Sequence, residues 1–332
     1  MPENFAPRTG VGPGHGAERR LGVTIPLDGV SLAEHRGWFA RLADLGYTDV
    51  WSSEVDGSDG FTPLALAAAW EPRLHLGLAI APVFTRGPAL LAMSIAALAE
   101  VAGDRLTIGL GASSAPVVER WNGIPYQHPY ARTRDVLHIV QRALAGERID
   151  EELETLTVRG FRLSRPVTTH PRLILGALRP GMLHLARDEA DGAVLNWLSV
   201  GDVGRVRQEL GDAFVAARLF VIPTADAERA RTLARRMIAT YLTVPAYADF
   251  HRWLGRGPQL EPLWAAWAAG DRAGANAAIP DEVVDALIIH GAPEACREHI
   301  ARYQDAGVDA AVLAVISPPD ELAEAVARLA PR

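Results

Sequence analysis

The chain contains no lysine, so all 33 of its basic residues are arginine. That bias reflects genomic base composition more than function, but it leaves any bound anion to arginine or to helix N-termini. A single cysteine, Cys296, excludes an intrachain disulfide and fits a reducing cytoplasm. Net charge is −7 with no basic block, which argues against nucleic acid or an anionic membrane surface as partner. No apolar run is long enough to cross a bilayer, and no signal-peptide pattern is present. Zinc chemistry has no support either. H-E-x-x-H is missing, and Cys296 and His299 form a lone C-x-x-H pair without a second one, so no metal site is expected.

What is present is a long alternation of strand and helix patterns. At 332 residues, 49% hydrophobic and 22% charged, the chain has the size and composition of a globular α/β protein with a large core. Residues 1–20, rich in glycine, read as a flexible leader, and 21–332 as one domain. Apolar, β-branched runs predict strands at 21–25, 48–53, 73–81, 105–110, 172–176, 193–196, 217–222 and 310–316. Helices are expected between them, the first from Ser31 (N-cap, with Glu34 at N3) to Leu45. Two insertions break the rhythm: a hairpin near 147–170 turning at Arg159-Gly160, and a helical segment at 245–285 carrying Trp253, Trp264 and Trp267, read as an apolar lid. Eight strands alternating with helices and no domain-scale linker predict a closed (β/α)8 TIM barrel. Its ligand site then lies at the C-terminal strand ends, namely Glu54, 79–84, 111–114, 176–182 and Asn196.

The richest stretch is 105–125, RLTIGLGASSAPVVERWNGIP. A buried strand runs into Gly109, Gly111, Ala112, Ser113 and Ser114, small residues that allow close backbone approach to a ligand. The motif touches three patterns: a dinucleotide fingerprint, a G-x-S-x-A nucleophile elbow, and a plain tight turn. The first comes too late in the chain, after three strand–helix units. The second lacks a suitable histidine, since His184 and His299 fall within helices and His290 shows no clear acid partner. Further on, Leu178-Arg179-Pro180-Gly181-Met182 opens a helix, whose free N–H groups and a guanidinium suit a phosphate. Glu54 is placed to hydrogen-bond a ligand or handle a proton, and Asn196 to position a polar group. Trp51, Trp121 and Trp197 sit near strand ends, where they could wall a planar ring or simply pack the core.

With these residues in view, the chain resembles the bacterial luciferase-like monooxygenase superfamily, and most closely its branch of oxidoreductases that use the deazaflavin coenzyme F420. The likeness spans about Leu21 to Leu329. It rests on Ala81-Pro82-Val83-Phe84-Thr85-Arg86 with Pro88-Ala89, on Gly109 to Ser114 with Glu119 to Pro125, and on Gly176 to Met182 with Ala190-Asp191-Gly192. The resemblance implies a barrel with the cofactor ring in its mouth, walled by Gly111, Ala112, Ser113 and Ser114. The phosphate would lie near Gly176, Ala177, Leu178, Arg179, Pro180, Gly181 and Met182. A non-prolyl cis peptide between Ala79 and Ile80 would back the ring. It further implies hydride transfer between F420 and a small organic substrate, with FMN as the alternative cofactor, a non-catalytic flavin-binding barrel as the alternative role, and a homodimer as the assembly. Family members often follow an acid with histidine at the second strand's end. Here Val55 follows Glu54, which favours either a proton from elsewhere, Glu54 or water, or a different substrate class.

Overall fold

The computed structural model describes residues 19–165 and 167–331. The expected leader at 1–20 lies almost wholly outside them. The chain begins β1 (Arg20–Ile25), α1 (His35–Asp44), β2 (Asp49–Ser52), α2 (Phe61–Trp70), β3 (His75–Pro82), α3 (Pro88–Ala102), β4 (Leu106–Gly111) and α4 (Pro129–Leu144). A hairpin of β5 (Ile149–Glu152) and β6 (Thr157–Phe161) follows, then β7 (Arg172–Gly176), α5 (Pro180–Glu189), β8 (Gly192–Asn196), α6 (Val200–Leu210) and β9 (Phe214–Ile222). After α7 (Ala227–Leu242) come α8 (Pro245–Trp253), α9 (Gly257–Ala268), α10 (Arg272–Ala277) and α11 (Asp281–Leu287). The chain closes with β10 (Ile288–His290), α12 (Pro293–Asp305), β11 (Ala310–Val315) and α13 (Leu322–Leu329).

Strands β1, β2, β3, β4, β7, β8, β9 and β11 pair in parallel, and pairing of β8 with β9 closes the ring. The fold is the expected (β/α)8 TIM barrel. Its strands are apolar on both faces because the outer face packs on helices and the inner face fills the lumen. Inside, Trp51, Ile174, Val194, Ala216, Ala310 and Val312 form one buried cluster. Trp51 lies across the lumen only because its neighbours are glycines. A Cβ on Gly77 would come 2.0 Å from the Trp51 ring, and one on Gly22 would come 2.9 Å from it. Below, Asp49 is buried and accepts from Arg20 and from Trp51 Nε1 at 3.3 Å, while Arg172 lies 4.2 Å above the Phe214 ring. The lumen's lower half is thus plugged.

Three local expectations need correction. Ser31 does bond Glu34, but the segment is a turn that runs directly into α1, and the regular helix starts at His35. Buried His35 takes over there: its Nε2 accepts the Leu27 N–H at 2.9 Å, and its Nδ1 pairs with the Ser31 carbonyl at 2.8 Å. The hairpin does not turn at Arg159-Gly160. Gly160, at φ 69°, forms part of an irregular pairing inside β6, its N–H donating to Asp150 Oδ1 at 2.8 Å. The turn is at 153–156, closed by the Leu153 N–H on the Leu156 carbonyl at 2.9 Å. The third is β10, three residues that the sequence pattern hides inside helical surroundings. It pairs Phe220–Ile222 of β9, along the edge that β8 leaves free beyond Arg218.

The 245–285 insertion is helical, as expected. With α7 it builds its own core, where Trp197, Phe220, Leu260, Leu263, Ile279 and Val284 are buried together above the C-terminal ends of β8 and β9. Trp264 anchors it by donating to the Leu242 carbonyl at 2.8 Å. Gly77→Ala should cost about 1–3 kcal/mol in denaturant unfolding, the usual range for overpacking. Combining it with Trp51→Leu should cost less than the sum of the two single changes, because the second removes the ring that the first collides with.

Candidate active site at the mouth of the barrel

The mouth is shaped first by β3. Its register with β4 shifts between Leu78 and Ala81, and the Ala79–Ile80 peptide is cis. This irregularity turns Ile80 into the lumen, half-exposed, against three glycines on the next two strands. Cβ atoms added at Gly109, Gly111 and Gly176 would meet Ile80 carbons at 3.1, 3.1 and 3.3 Å. Sequence reading had set the glycines of GLGASS aside for a ligand. Both of them, with Gly176, clear space for Ile80, which becomes an apolar platform at the mouth.

Beyond Gly111 the chain passes through Ser113, at φ 62°, into a six-residue π-helical turn, Pro116–Trp121. The ERWNGIP stretch folds back on itself. Asn122 Nδ2 donates to the Val117 carbonyl at 2.7 Å, and the Tyr126 N–H to Glu119 Oε1 at 3.1 Å. Tyr126, whose ring lies 5.1 Å from that of Phe84, donates its hydroxyl to the Ser113 carbonyl at 3.3 Å. Ala112, Ser113 and Ser114 are therefore held beside the mouth, partly exposed. Neither serine bonds a histidine among the described residues. His290 does have an acid after all, since its Nε2 lies 2.8 Å from Asp285 Oδ1. Trp121, 57% exposed, points to the surface.

Gly176 and Ala177 end β7, and Pro180, Gly181 and Met182 begin α5, whose first-turn N–H groups lack intrahelical acceptors. Arg179 is exposed and its guanidinium donates to Asp249 of α8 at 2.9 Å, so it ties the lid to this loop. Glu54, at the end of β2, is also engaged. Arg86 Nε lies 2.8 and 3.0 Å from its two oxygens, and the Gly60 N–H donates to Oε2 at 2.9 Å. Arg86 in turn lies 4.8 Å above the Phe61 ring.

Buried polar groups beside the mouth are harder to find from the sequence. A small cavity is lined by Thr24, Trp51, Ser52, Ser53, Ala79, Val194, Arg218 and Val312. Buried atoms without partners among the described residues include Thr24 Oγ1, Arg218 Nε, Asn196 Oδ1 and Trp197 Nε1. Asn196 donates to the Tyr247 hydroxyl at 3.4 Å, and burial pushes that phenol up to about 12, so it keeps its proton. Trp197, buried at φ 58°, stacks on Phe220 at 4.2 Å and tilts against Tyr241 at 5.0 Å. Behind them His251 is fully buried, with no side-chain hydrogen-bond partner for its ring nitrogens among the described residues and only the Trp197 backbone beside it. Burial and then the Arg256 cation push His251 down to about 3. Arg218 carried a signal: it is the lone charge in the β9 run and shares the inward face of Phe214 and Ala216. Tyr247 and His251 carried none, because helical spacing in the insertion does not say which face covers the mouth.

The fold defines a parallel (β/α)8 barrel protein, and the small, apolar and orphaned polar groups at its strand ends mark a candidate ligand site among the βα loops. The chain belongs to the luciferase-like monooxygenase family, whose sequence profile matches residues 8–310. It is 29% identical over 327 residues to a Mycobacterium tuberculosis protein provisionally named a coenzyme F420-dependent oxidoreductase, covering 88% of this chain and 94% of that one. The coenzyme F420 dependent tetrahydromethanopterin reductase of Methanopyrus kandleri superposes with a TM-score of 0.76 at 21% identity, over 95% and 98% of the two chains. A type II Baeyer–Villiger monooxygenase from Pseudomonas putida, in complex with FMN, gives 0.61 at 17% identity over 94% and 97%.

His251 yields a pH prediction. Its folded value lies below the ordinary imidazole value, so between about pH 6.5 and 3 the unfolded chain binds a proton that the folded chain does not. Folding stability should therefore fall with acidification through this window, by up to about 1.4 kcal/mol per pH unit for this group. Denaturant melts at pH 7 and 5 should show a smaller loss for His251→Phe than for the native chain.

Proposed function

We propose that the protein is an oxidoreductase that moves a hydride between deazaflavin F420 and a small organic substrate. The observation that carries this reading is Ile80, turned into the mouth and given room by Gly109, Gly111 and Gly176, an apolar platform on which one face of a planar ring can rest. The similarity to the mycobacterial F420-dependent relative supports it over most of the chain. Gly111 to Ser114 and the loop from Gly176 through Ala177, Leu178, Arg179, Pro180 and Gly181 to Met182 would hold the cofactor, the N–H groups of α5 facing its phosphate. Bound there, the deazaflavin supplies a carbon that accepts or gives a hydride and does not activate oxygen.

Glu54 is the acid assigned to proton handling, and its present bonds to Arg86 and Gly60 hold the β2–α2 loop at the rim. The FMN reading is supported by the likeness in fold to the FMN-bound Baeyer–Villiger monooxygenase and shares the same platform. A homodimer fits the apolar residues Leu90, Met93 and Val101, which α3 leaves exposed; light scattering should return twice the chain mass.

Titration of the purified protein with F420 and with reduced FMN tests the cofactor. F420 should bind more tightly, and reduced FMN binding more tightly with oxygen uptake would overturn the reading. Ile80→Ala should weaken F420 binding about tenfold, the loss expected when much of a buried aliphatic contact disappears. Glu54→Gln should lower turnover while F420 affinity stays. A loss of stability alone would mean Glu54 only anchors the loop.

A further inference from the structure

Arg218 is a partly buried charge on the lumen side of β9. Arg86 is paired with Glu54, Arg179 with Asp249, and Arg256 with Asp202. Arg218 has no ion pair among the described residues. Its Nε is buried without a partner, and its guanidinium lies 5.1 Å from the Phe220 ring. It stands on β9, four strands from β3 in either direction round the ring, and both Arg218 and Ala79, the residue before Ile80 on β3, line one small cavity. Asn196 is its register partner on β8 and reaches Tyr247 of the lid. Because Asn196 donates to the Tyr247 oxygen, the phenolic proton is left to donate elsewhere.

We infer that Arg218, with Asn196 and Tyr247, is the binding site for a carboxylate on the substrate, so that the substrate class is a small monoanionic carboxylic acid. The inference rests on the oxidoreductase reading and names the substrate of that same site. One free guanidinium balances one negative charge. A phosphate dianion would leave a second negative charge that Arg218 alone does not balance. The guanidinium supplies a two-pronged donor matched to a carboxylate, and the phenol supplies a third donor. The aromatic wall of Trp197, Phe220 and Tyr241 would keep the pair out of water, where a charge-assisted bond is strongest. A ligand whose one face rests on Ile80 leaves its other face toward this wall, so a carboxylate held by Arg218 fixes which part of the substrate lies between them.

The test uses cinnamate and its neutral isostere cinnamamide, titrated by tryptophan fluorescence and calorimetry into the purified protein with and without F420. Cinnamate should bind at least tenfold more tightly than cinnamamide. Arg218→Gln should abolish that preference, Arg218→Lys should keep part of it, and Tyr247→Phe should weaken cinnamate a few-fold. F420 affinity should be unchanged in all three. Equal binding of the two probes, or a preference that survives Arg218→Gln, overturns the inference, as does tighter binding of phenyl phosphate than of cinnamate. Loss of F420 binding in Arg218→Gln without any carboxylate preference in the native protein would assign the guanidinium to the cofactor instead. If F420 fails to bind while the cinnamate preference holds, the cofactor reading falls and the carboxylate site stands.

Discussion

An eight-stranded barrel has too little room inside for a large side chain from every strand, and this limit on volume governs the molecule from floor to mouth. Where Trp51 crosses the lumen, both neighbouring strands give up their side chains at Gly22 and Gly77. Where Ile80 enters, the strands on its other side do the same at Gly109, Gly111 and Gly176. At both places glycine makes way for one protruding side chain. The depth of the mouth follows from this packing: Trp51 sets the floor, and Ile80 sets the wall.

The same limit explains why the sequence could be read well in some places and poorly in others. The eight barrel strands and most helices were legible because they are apolar runs and amphipathic repeats, which burial imposes directly. Helix α5 was placed to the residue because Pro180 marks its first turn. Glycine was harder to interpret. A glycine at a strand end looks alike whether it makes room for a ligand, for another side chain or for a turn, and here Gly111 serves Ile80. Gly160 was misread for the same reason, since positive φ suits a strand irregularity as well as a turn. Short β10 has no periodicity to detect.

Polar groups of the site were legible only where a strand carried them. Asn196 and Glu54 stand at strand ends and were singled out, and Arg218 interrupts an apolar strand. Tyr247 and His251 come from a helix laid over the mouth by long-range packing, which no local pattern encodes. The resemblance to the luciferase-like family located the cis peptide that residue patterns alone did not suggest. Pairing was the least predictable property. Glu54 and Arg179 look like free charges in the sequence, yet both are engaged, by Arg86 thirty-two residues on and by Asp249 seventy residues on.

The divided edge of β9 has a consequence for how such a protein can change. Its first five residues lie beside β8 and complete the ring, while only its last three carry β10. Everything between Ile222 and Ile288 hangs from that short splice. A cassette fastened in this way can lengthen, shorten or be exchanged without shifting the register of any barrel strand. New specificities can therefore be grafted over an unaltered floor and ring platform, one barrel serving many substrates.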